Sequence, residues 1–288
     1  MRVERVPLPA DGLAGLLARP AAAGAELAWL GQAGFLMRAG GRVVLIDPYL
    51  SDHLAWKYHG SLFPHARMMA APVGAEDLPR VDLVICTHRH GDHMDPGTLP
   101  ALAQAHPECR FVVPAAEAAF AEGIGLPAGR LILAETGLRL QPLSDLDLVL
   151  DPLPAAHERF ERDRDGRHHF LGYVLSVHGL RLYHSGDCVP YEGLAEAVRA
   201  LAPGLALLPV NGRDAARAAS RIPGNFTLGE AIRLCDAVGI PVLIPHHFGL
   251  FAFNTADPAE IDAAAGCLQH PRLLRPDTRH LFRLSREG

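Results

Sequence analysis

The chain has no Cys-x-x-Cys pair, and its five cysteines (Cys86, Cys109, Cys188, Cys235 and Cys267) are scattered and odd in number. A disulfide framework is therefore not expected, and a reducing cytoplasm fits. Long apolar runs are missing too. The first twenty residues include Arg2, Glu4, Arg5 and Asp11, so neither a signal peptide nor a bilayer span is expected. Excess positive charge is lacking: the formal net charge is −5 and the pI is near 6.3. That argues against a general nucleic-acid binder and gives no attraction to anionic membrane. No Ser/Gly linker, charge block or repeat divides the 288 residues, which reads as one domain over 1–288. With 49% apolar and 20% charged residues, the composition is globular and supplies a large core.

What is present concentrates in Thr87-His88-Arg89-His90-Gly91-Asp92-His93, directly after the apolar run Val81-Asp82-Leu83-Val84-Ile85-Cys86. The run reads as a buried strand, so the motif sits where a strand ends and a loop begins. Imidazole and carboxylate are ordinary ligands of zinc, manganese and iron. A tight loop can aim His88 and His90 at one ion, and Asp92 and His93 at a neighbouring one. The bland alternative is a polar surface loop.

His-x-His-x-Asp-His after an apolar strand resembles the metallo-β-lactamase superfamily of metal-dependent hydrolases. Other stretches are similar to its L-ascorbate-6-phosphate lactonase-like branch: Trp29-Leu30-Gly31-Gln32-Ala33-Gly34, Leu45-Ile46-Asp47-Pro48, Leu182-Tyr183-His184-Ser185-Gly186-Asp187 and Val242-Leu243-Ile244-Pro245-His246-His247. The resemblance runs from about residue 27 to residue 262. It implies an α/β fold, a four-layer αββα sandwich with its metals at one edge. It also implies that Asp47 is an acid behind the metal loop, although an aspartate before proline is equally a turn former.

In chain order, residues 1–26 read as a lead-in with one short helix. Strands follow at Leu27–Leu30, Phe35–Arg38 and Arg42–Ile46. Residues 49–79 form a long irregular stretch with His53, Trp56, Tyr58, His59, Phe63 and His65. A lid over the pocket fits such a loop, and a surface flap packing Trp56 and Phe63 is the alternative. Helices are expected at Thr98–His106 and Pro114–Glu122. Short strands are expected at Arg110–Val113, Leu131–Ala134, Leu138–Leu140 and Leu146–Leu150. His157 follows the last of these and is the candidate third histidine for the first ion, with His168 and His169 competing.

The hairpin Gly172–Tyr183 runs into Asp187, whose two oxygens can bridge two cations. Cys188 beside it reads as a buried thiol rather than a ligand. Residues 211–225 form a basic loop with Arg213, Arg217 and Arg221, and Thr227 with Glu230 forms a capping box. By resemblance the last ligand is His247, with His246 as a catalytic donor on the pocket wall. The three arginines are candidate substrate-binding residues for an anionic group, since arginine's fork suits phosphate or carboxylate. The alternative is a solvated basic loop, or one pairing with Asp214 at a homo-oligomer contact.

The resulting set is His88, His90 and His157 on one divalent ion, Asp92, His93 and His247 on the other, and Asp187 between them. Zinc and manganese suit such nitrogen and oxygen donors, and iron is also accepted. Ions roughly 3.5–4 Å apart would share a hydroxide at neutral pH, and Asp92 or a pocket histidine would move the proton. A small molecule is the expected partner, with neither nucleic acid nor membrane. Hydrolysis of a small lactone or ester, a phosphorylated sugar-acid lactone among them, is the first expectation. A phosphodiesterase acting on a nucleotide or phospholipid-type substrate is the alternative. A non-hydrolytic iron relative and an inactive binding protein stand behind both.

Overall fold

A computed structural model describes residues 1–287. Its strands are β1 Arg2–Pro7, β2 Ala25–Gly31, β3 Gly34–Ala39, β4 Arg42–Ile46, β5 Leu83–Ile85, β6 Arg110–Pro114 and β7 Leu131–Ala134, followed by β8 Val149–Pro154, β9 Leu171–Val177, β10 Leu180–His184, β11 Leu205–Pro209, β12 Val242–His246, β13 Arg272–Leu273 and β14 His280–Ser285. They form two sheets, ordered β1-β14-β2-β3-β4-β5-β6-β7 and β13-β12-β11-β10-β9-β8.

The inner faces of the two sheets share one apolar cluster, in which Leu27, Phe35, Ile46 and Ile85 from the first meet Tyr173, Leu175, Leu182 and Leu207 from the second. Helices cover the outer faces. Leu13, Leu16, Leu99 and Leu102 pack against Leu36, Leu45, Val84 and Phe111 of the first sheet. Val198, Ala231, Leu234 and Ile261 come from helices Leu194–Leu201, Leu228–Val238 and Pro258–Cys267, which flank the second. This is the expected four-layer sandwich. Strands buried on both faces lack polar alternation, which is why β4, β5, β11 and β12 read as continuous apolar runs.

Several boundaries differ from the sequence reading. The lead-in begins with a strand, because β1 pairs antiparallel with β14 from Arg2↔Ser285 to Pro7↔His280. Leu138–Leu140 forms no strand, and only Leu140 bridges to Leu150. β8 extends through Pro152 and Pro154, which an edge strand tolerates because an outward-facing proline breaks no ladder bond. Within 49–79 a short helix, His53–Lys57, interrupts the irregular chain. The capping box is present: Thr227 and Glu230 satisfy each other's backbone N–H groups. Among the described residues, no helix is long and apolar enough to cross a membrane.

Parallel pairing positions the site. β4-β5-β6-β7 run parallel in one sheet and β10-β11-β12-β13 in the other. Their carboxyl ends, where α/β proteins place their ligands, release Asp47, the 87–93 loop, Asp187 and His247 on one edge.

Candidate metal centre

The 87–93 loop is held from behind by Asp47. The backbone N–H of Thr87 donates to Asp47 Oδ1 at 2.8 Å, and the Thr87 hydroxyl donates to Oδ2 at 2.6 Å. His93 Nδ1 donates to the same Oδ2 at 2.7 Å. With its own proton committed, Thr87 Oγ1 accepts from His88 Nδ1 at 3.0 Å. Both imidazoles therefore carry a proton on Nδ1 and turn Nε2 toward the cluster. Those Nε2 atoms are buried and have no hydrogen-bond partner, and the same holds for Asp187 Oδ1.

The free donors converge. His93 Nε2 lies 3.3 Å from Asp187 Oδ1, and His247 Nε2 lies 3.3 Å from Asp187 Oδ2. His157 Nε2 lies 3.6 Å from Asp187 Oδ2. Asp92 Oδ2 is 3.8 Å from His93 Nε2 and 3.6 Å from His247 Nε2. Three sets have donor atoms within 4.8 Å of one another: His88 with His93 and Asp187, His90 with His157 and Asp187, and Asp92 with His93 and His247. Asp187 belongs to two of them and presents a different oxygen to His93 than to His157 and His247. Phe170 packs on the rings of His88, His90 and His157, fixing the apolar side of the cluster.

Lone pair facing lone pair in a buried space is unfavourable unless a proton or a metal cation lies between. The protonation tendencies follow. Burial would lower His93, but the carboxylates of Asp187, Asp47 and Asp92 outweigh it and hold the imidazole well above the ordinary value. Burial would likewise raise Asp187, but His247 and His93 hold it well below the usual carboxylate range. Burial lowers His88 and His90, and pulls His157 down to about 4. A divalent metal needs neutral imidazoles beside carboxylates, the form that His88, His90 and His157 favour, and its binding would displace the proton that the acids hold on His93. The donor set fits such a metal.

Gly186, two residues after β10, allows the close approach. Its φ is +59°, and a Cβ there would lie 2.8 Å from Thr87 Cβ and 3.0 Å from the Leu171 carbonyl.

The cluster floors a cavity of about 640 Å³, which Asp92, His157, Asp187 and His247 all touch. Leu54, Tyr58, Phe63 and His65 from the 49–79 segment form one wall, and His65 packs between Tyr58, Phe251 and Phe253. That segment thus contributes side chains to the cavity, although Trp56 stands 85% exposed and packs nothing down. Lys57, Arg89 and Arg221 also line the cavity. A larger hollow of about 1000 Å³ under Trp56 and Met68 touches none of the seven candidate ligands, so size alone does not mark the site.

Comparison with known proteins agrees with the geometry. A family model described as "Beta-lactamase superfamily domain" matches residues 42–248. A UPF0173 metal-dependent hydrolase from Hyperthermus butylicus is 31% identical over 237 residues, covering 81% of this chain and 87% of the relative. One from Myxococcus xanthus is 29% identical over 276 residues, covering 92% and 85%. In fold, an isothiocyanate hydrolase from Delia radicum gut bacteria aligns with a TM-score of 0.70 at 22% identity, over 90% of this chain and 99% of that one. The chain belongs to the metallo-β-lactamase superfamily. It is a metal-dependent hydrolase of that superfamily's UPF0173 family.

Within this superfamily member three assignments made from sequence need correction. His246 is not on the cavity wall: it ends β12 between the sheets, stacked on His184 at 4.8 Å and edge-on to Phe35 at 6.0 Å. The chain turns only at His247, whose φ is +63°, so the two neighbours point to different places. Arg213 is closed in a two-pronged pair with Glu230, 2.7 Å on each side. Arg217 is bonded to Asp214, the Asn211 carbonyl and Asn254. Of the three arginines, only Arg221 lines the cavity.

Among the competitors, His169 pairs with Glu117 and His168 contacts Thr136 and Arg162, away from the cluster that His157 joins. Cys188 Sγ donates to the Val189 carbonyl, and burial pushes its thiol up to about 12. Two functional residues escaped the sequence reading. Thr87 relays between His88 and Asp47, and Gln32 Nε2 donates to Asp92 Oδ2 at 2.8 Å. Both stood inside the quoted motifs, where a polar residue at the end of an apolar strand was the available signal.

Proposed function

We propose that this metal-dependent hydrolase opens a small lactone or ester bearing an anionic group, at a centre of two divalent ions. The observation that carries the reading is the cavity itself. His90, Asp92, His157, Asp187 and His247 lie at its floor, next to the unpaired Nε2 atoms of His88 and His93; an aromatic wall stands on one side, and Arg221, Arg89 and Lys57 line it.

His88, His90, His157 and Asp187 would hold one ion, and Asp92, His93, His247 and Asp187 the other. When bound, such ions supply a hydroxide nucleophile near neutral pH and polarise the substrate carbonyl. Asp47 and Thr87 keep the imidazole tautomers correct for that task. Asp92 is 16% exposed to the cavity and is the carboxylate placed to take a proton from the attacking water or deliver it to the leaving oxygen. Positioned proton transfer of this kind contributes about 10²–10⁴-fold. Leu54, Phe63, Phe251 and Phe253 exclude water around the acyl portion. Arg221 has no carboxylate partner among the described residues and suits a phosphate or carboxylate on the substrate.

The test is a panel assayed with zinc- or manganese-loaded protein: sugar-acid lactones, their phosphorylated forms, aryl esters and bis(p-nitrophenyl) phosphate. Lactone or ester turnover that Asp187→Asn abolishes is the expected result. Preferential turnover of the phosphodiester, equally lost in Asp187→Asn, would replace this reading with a phosphodiesterase.

A further inference from the structure

The cavity over the donor cluster has a neighbour. A second hollow of about 390 Å³ adjoins it, and Arg89, His90, His157 and Arg221 border both. The two are lobes of one site that meet over His90 and His157. Their linings differ. The first lobe carries the aromatic wall and Asp92; the second carries Glu158, Arg159, Glu161 and His169. A substrate lying over the cluster meets Asp92 in one lobe and His169 in the other.

The two acids of the second lobe are already committed. Glu158 Oε1 accepts from the Gly224 backbone N–H at 3.1 Å, and Glu161 holds Arg159 at 3.4 Å. His169 is fixed in place with one nitrogen to spare. Its backbone N–H donates to the Glu161 carbonyl at 3.0 Å, and its Nδ1 shares a hydrogen bond with Glu117 Oε1 at 2.5 Å. Glu117 ends the turn Ala115–Glu117 after β6 and is buried, with Arg89 Nε 3.8 Å from the same oxygen. The next residue along from His169 is Phe170, which packs on the rings of His88, His90 and His157 and so keeps this stretch of chain against the cluster. The His169 ring stays 21% exposed, and Nε2 is the nitrogen left to face the lobe.

A buried carboxylate on Nδ1 fixes an imidazole's tautomer and stabilises its charged form, so that Nε2 can give and take a proton. The protonated pair presents an N–H at Nε2 wherever the proton between Oε1 and Nδ1 sits. Ester hydrolysis needs two proton transfers, one from the attacking water and one to the leaving oxygen, and one group on each side of the cluster can divide them. We propose that His169, oriented by Glu117, is the proton donor to the leaving oxygen, and that the leaving half of the substrate lies in the second lobe. The inference rests on the ester or lactone reading above. As the tetrahedral intermediate collapses, the carbon–oxygen bond breaks and its electron pair stays on the leaving oxygen. The Nε2 proton moves to that oxygen. The water's proton goes to Asp92 and on to solvent, and solvent in the lobe returns one to His169.

The experiment compares zinc-loaded parent, His169→Gln and Glu117→Gln on the ethyl and p-nitrophenyl monoesters of glutarate. p-Nitrophenolate leaves without a proton, whereas ethanol needs one. His169→Gln should lower kcat at least about 10²-fold for the ethyl ester, with KM little changed, and at most a few-fold for the p-nitrophenyl ester. Glu117→Gln should show the same selectivity with a smaller loss, because its amide oxygen still orients the ring but no charge supports the imidazolium. Elemental analysis should find parent zinc content in both variants. Equal losses on the two esters, or none, would overturn the proposal, since a purely structural pair does not distinguish leaving groups. Zinc loss in His169→Gln would also overturn it, by making His169 a ligand. If His169→Gln fails to fold, the same comparison in Glu117→Gln decides. A parent that cleaves phosphodiesters but neither ester sinks the ester reading alone; bis(p-nitrophenyl) phosphate against glycerophosphoethanolamine then tests the donor in the same way. A parent inactive on all four substrates overturns both.

Discussion

Replacing Asp47 by asparagine preserves the side chain's shape and removes its charge. The remaining carbonyl oxygen can still accept from the Thr87 backbone N–H, the 2.8 Å bond. The new NH₂ then faces two donors, the Thr87 hydroxyl and His93 Nδ1, which both reach Oδ2 in the parent. Donor against donor is relieved if His93 gives up its Nδ1 proton, so that its remaining proton sits on Nε2. That proton would occupy the lone pair aimed at Asp92 and Asp187. An ion must then reverse the tautomer before it can bind. Partners that orient a metal-binding histidine are worth about 10–100-fold in affinity, or roughly 1.4–2.7 kcal/mol.

The assay is competitive zinc titration of metal-free Asp47→Asn and parent, with the His93 tautomer read from its ring-nitrogen chemical shifts. Asp95→Asn is the control. Asp95 is also buried and bonded to Ser51 and to the Gly97 backbone, but it touches none of the ligands. It should lower the melting temperature and leave affinity unchanged. Parent-like zinc affinity in Asp47→Asn, or equal losses in both variants, would refute the tautomer argument.

Two further outcomes are expected. Arg221→Gln should raise KM at least several-fold for a phosphorylated lactone and not for its unphosphorylated form, while Arg213→Gln should leave both KM values alone and lower Tm by freeing Glu230, whose carboxyl that arginine holds down at about 2; steady-state kinetics on the two forms decide it. In metal-free protein, His157 is buried neutral with its value pulled from 6.5 to about 4, so its contribution is complete above about pH 6.5 and is lost as pH falls toward 4, by up to roughly 3 kcal/mol. Between pH 7 and pH 4 the urea midpoint of the parent should fall further than that of His157→Leu, and parallel curves would refute it.

Much of the donor set was readable because strand-end ligands are local in sequence. His88 to His93 share one loop, and Asp187 and His247 each follow an apolar strand. What was unreadable depends on partners far along the chain. β1 pairs with β14 across nearly the whole sequence, and no local pattern in residues 1–26 announces it. The basic loop at 211–225 looked uniform, yet Glu230 takes Arg213, Asp214 and Asn254 take Arg217, and Arg221 is left for the cavity. The sequence marks Glu230 as a helix cap; its second role needs the loop's position in space. His246 and His247 are adjacent in sequence, and only the backbone turn at His247 separates a core side chain from a ligand.

The charge balance of the cluster explains why its parts belong together. Asp47 accepts three hydrogen bonds and donates none, and Asp92 and Asp187 are both held low. Against these three carboxylates stands one imidazole held high, His93, with His88, His90 and His157 all favouring the neutral form. Without metal, the protonated His93 provides the cationic charge that stabilises the surrounding acids, and its stabilising effect is lost as pH rises through its raised value. A divalent cation supplies the same attraction more strongly, but needs the Nε2 lone pair that the proton covers. Metal uptake and loss of that proton are therefore one event. Asp47 directs which nitrogen gives the proton up. A centre built this way binds its ions more tightly as pH rises from acid to neutral, the range in which a hydrolytic hydroxide becomes available.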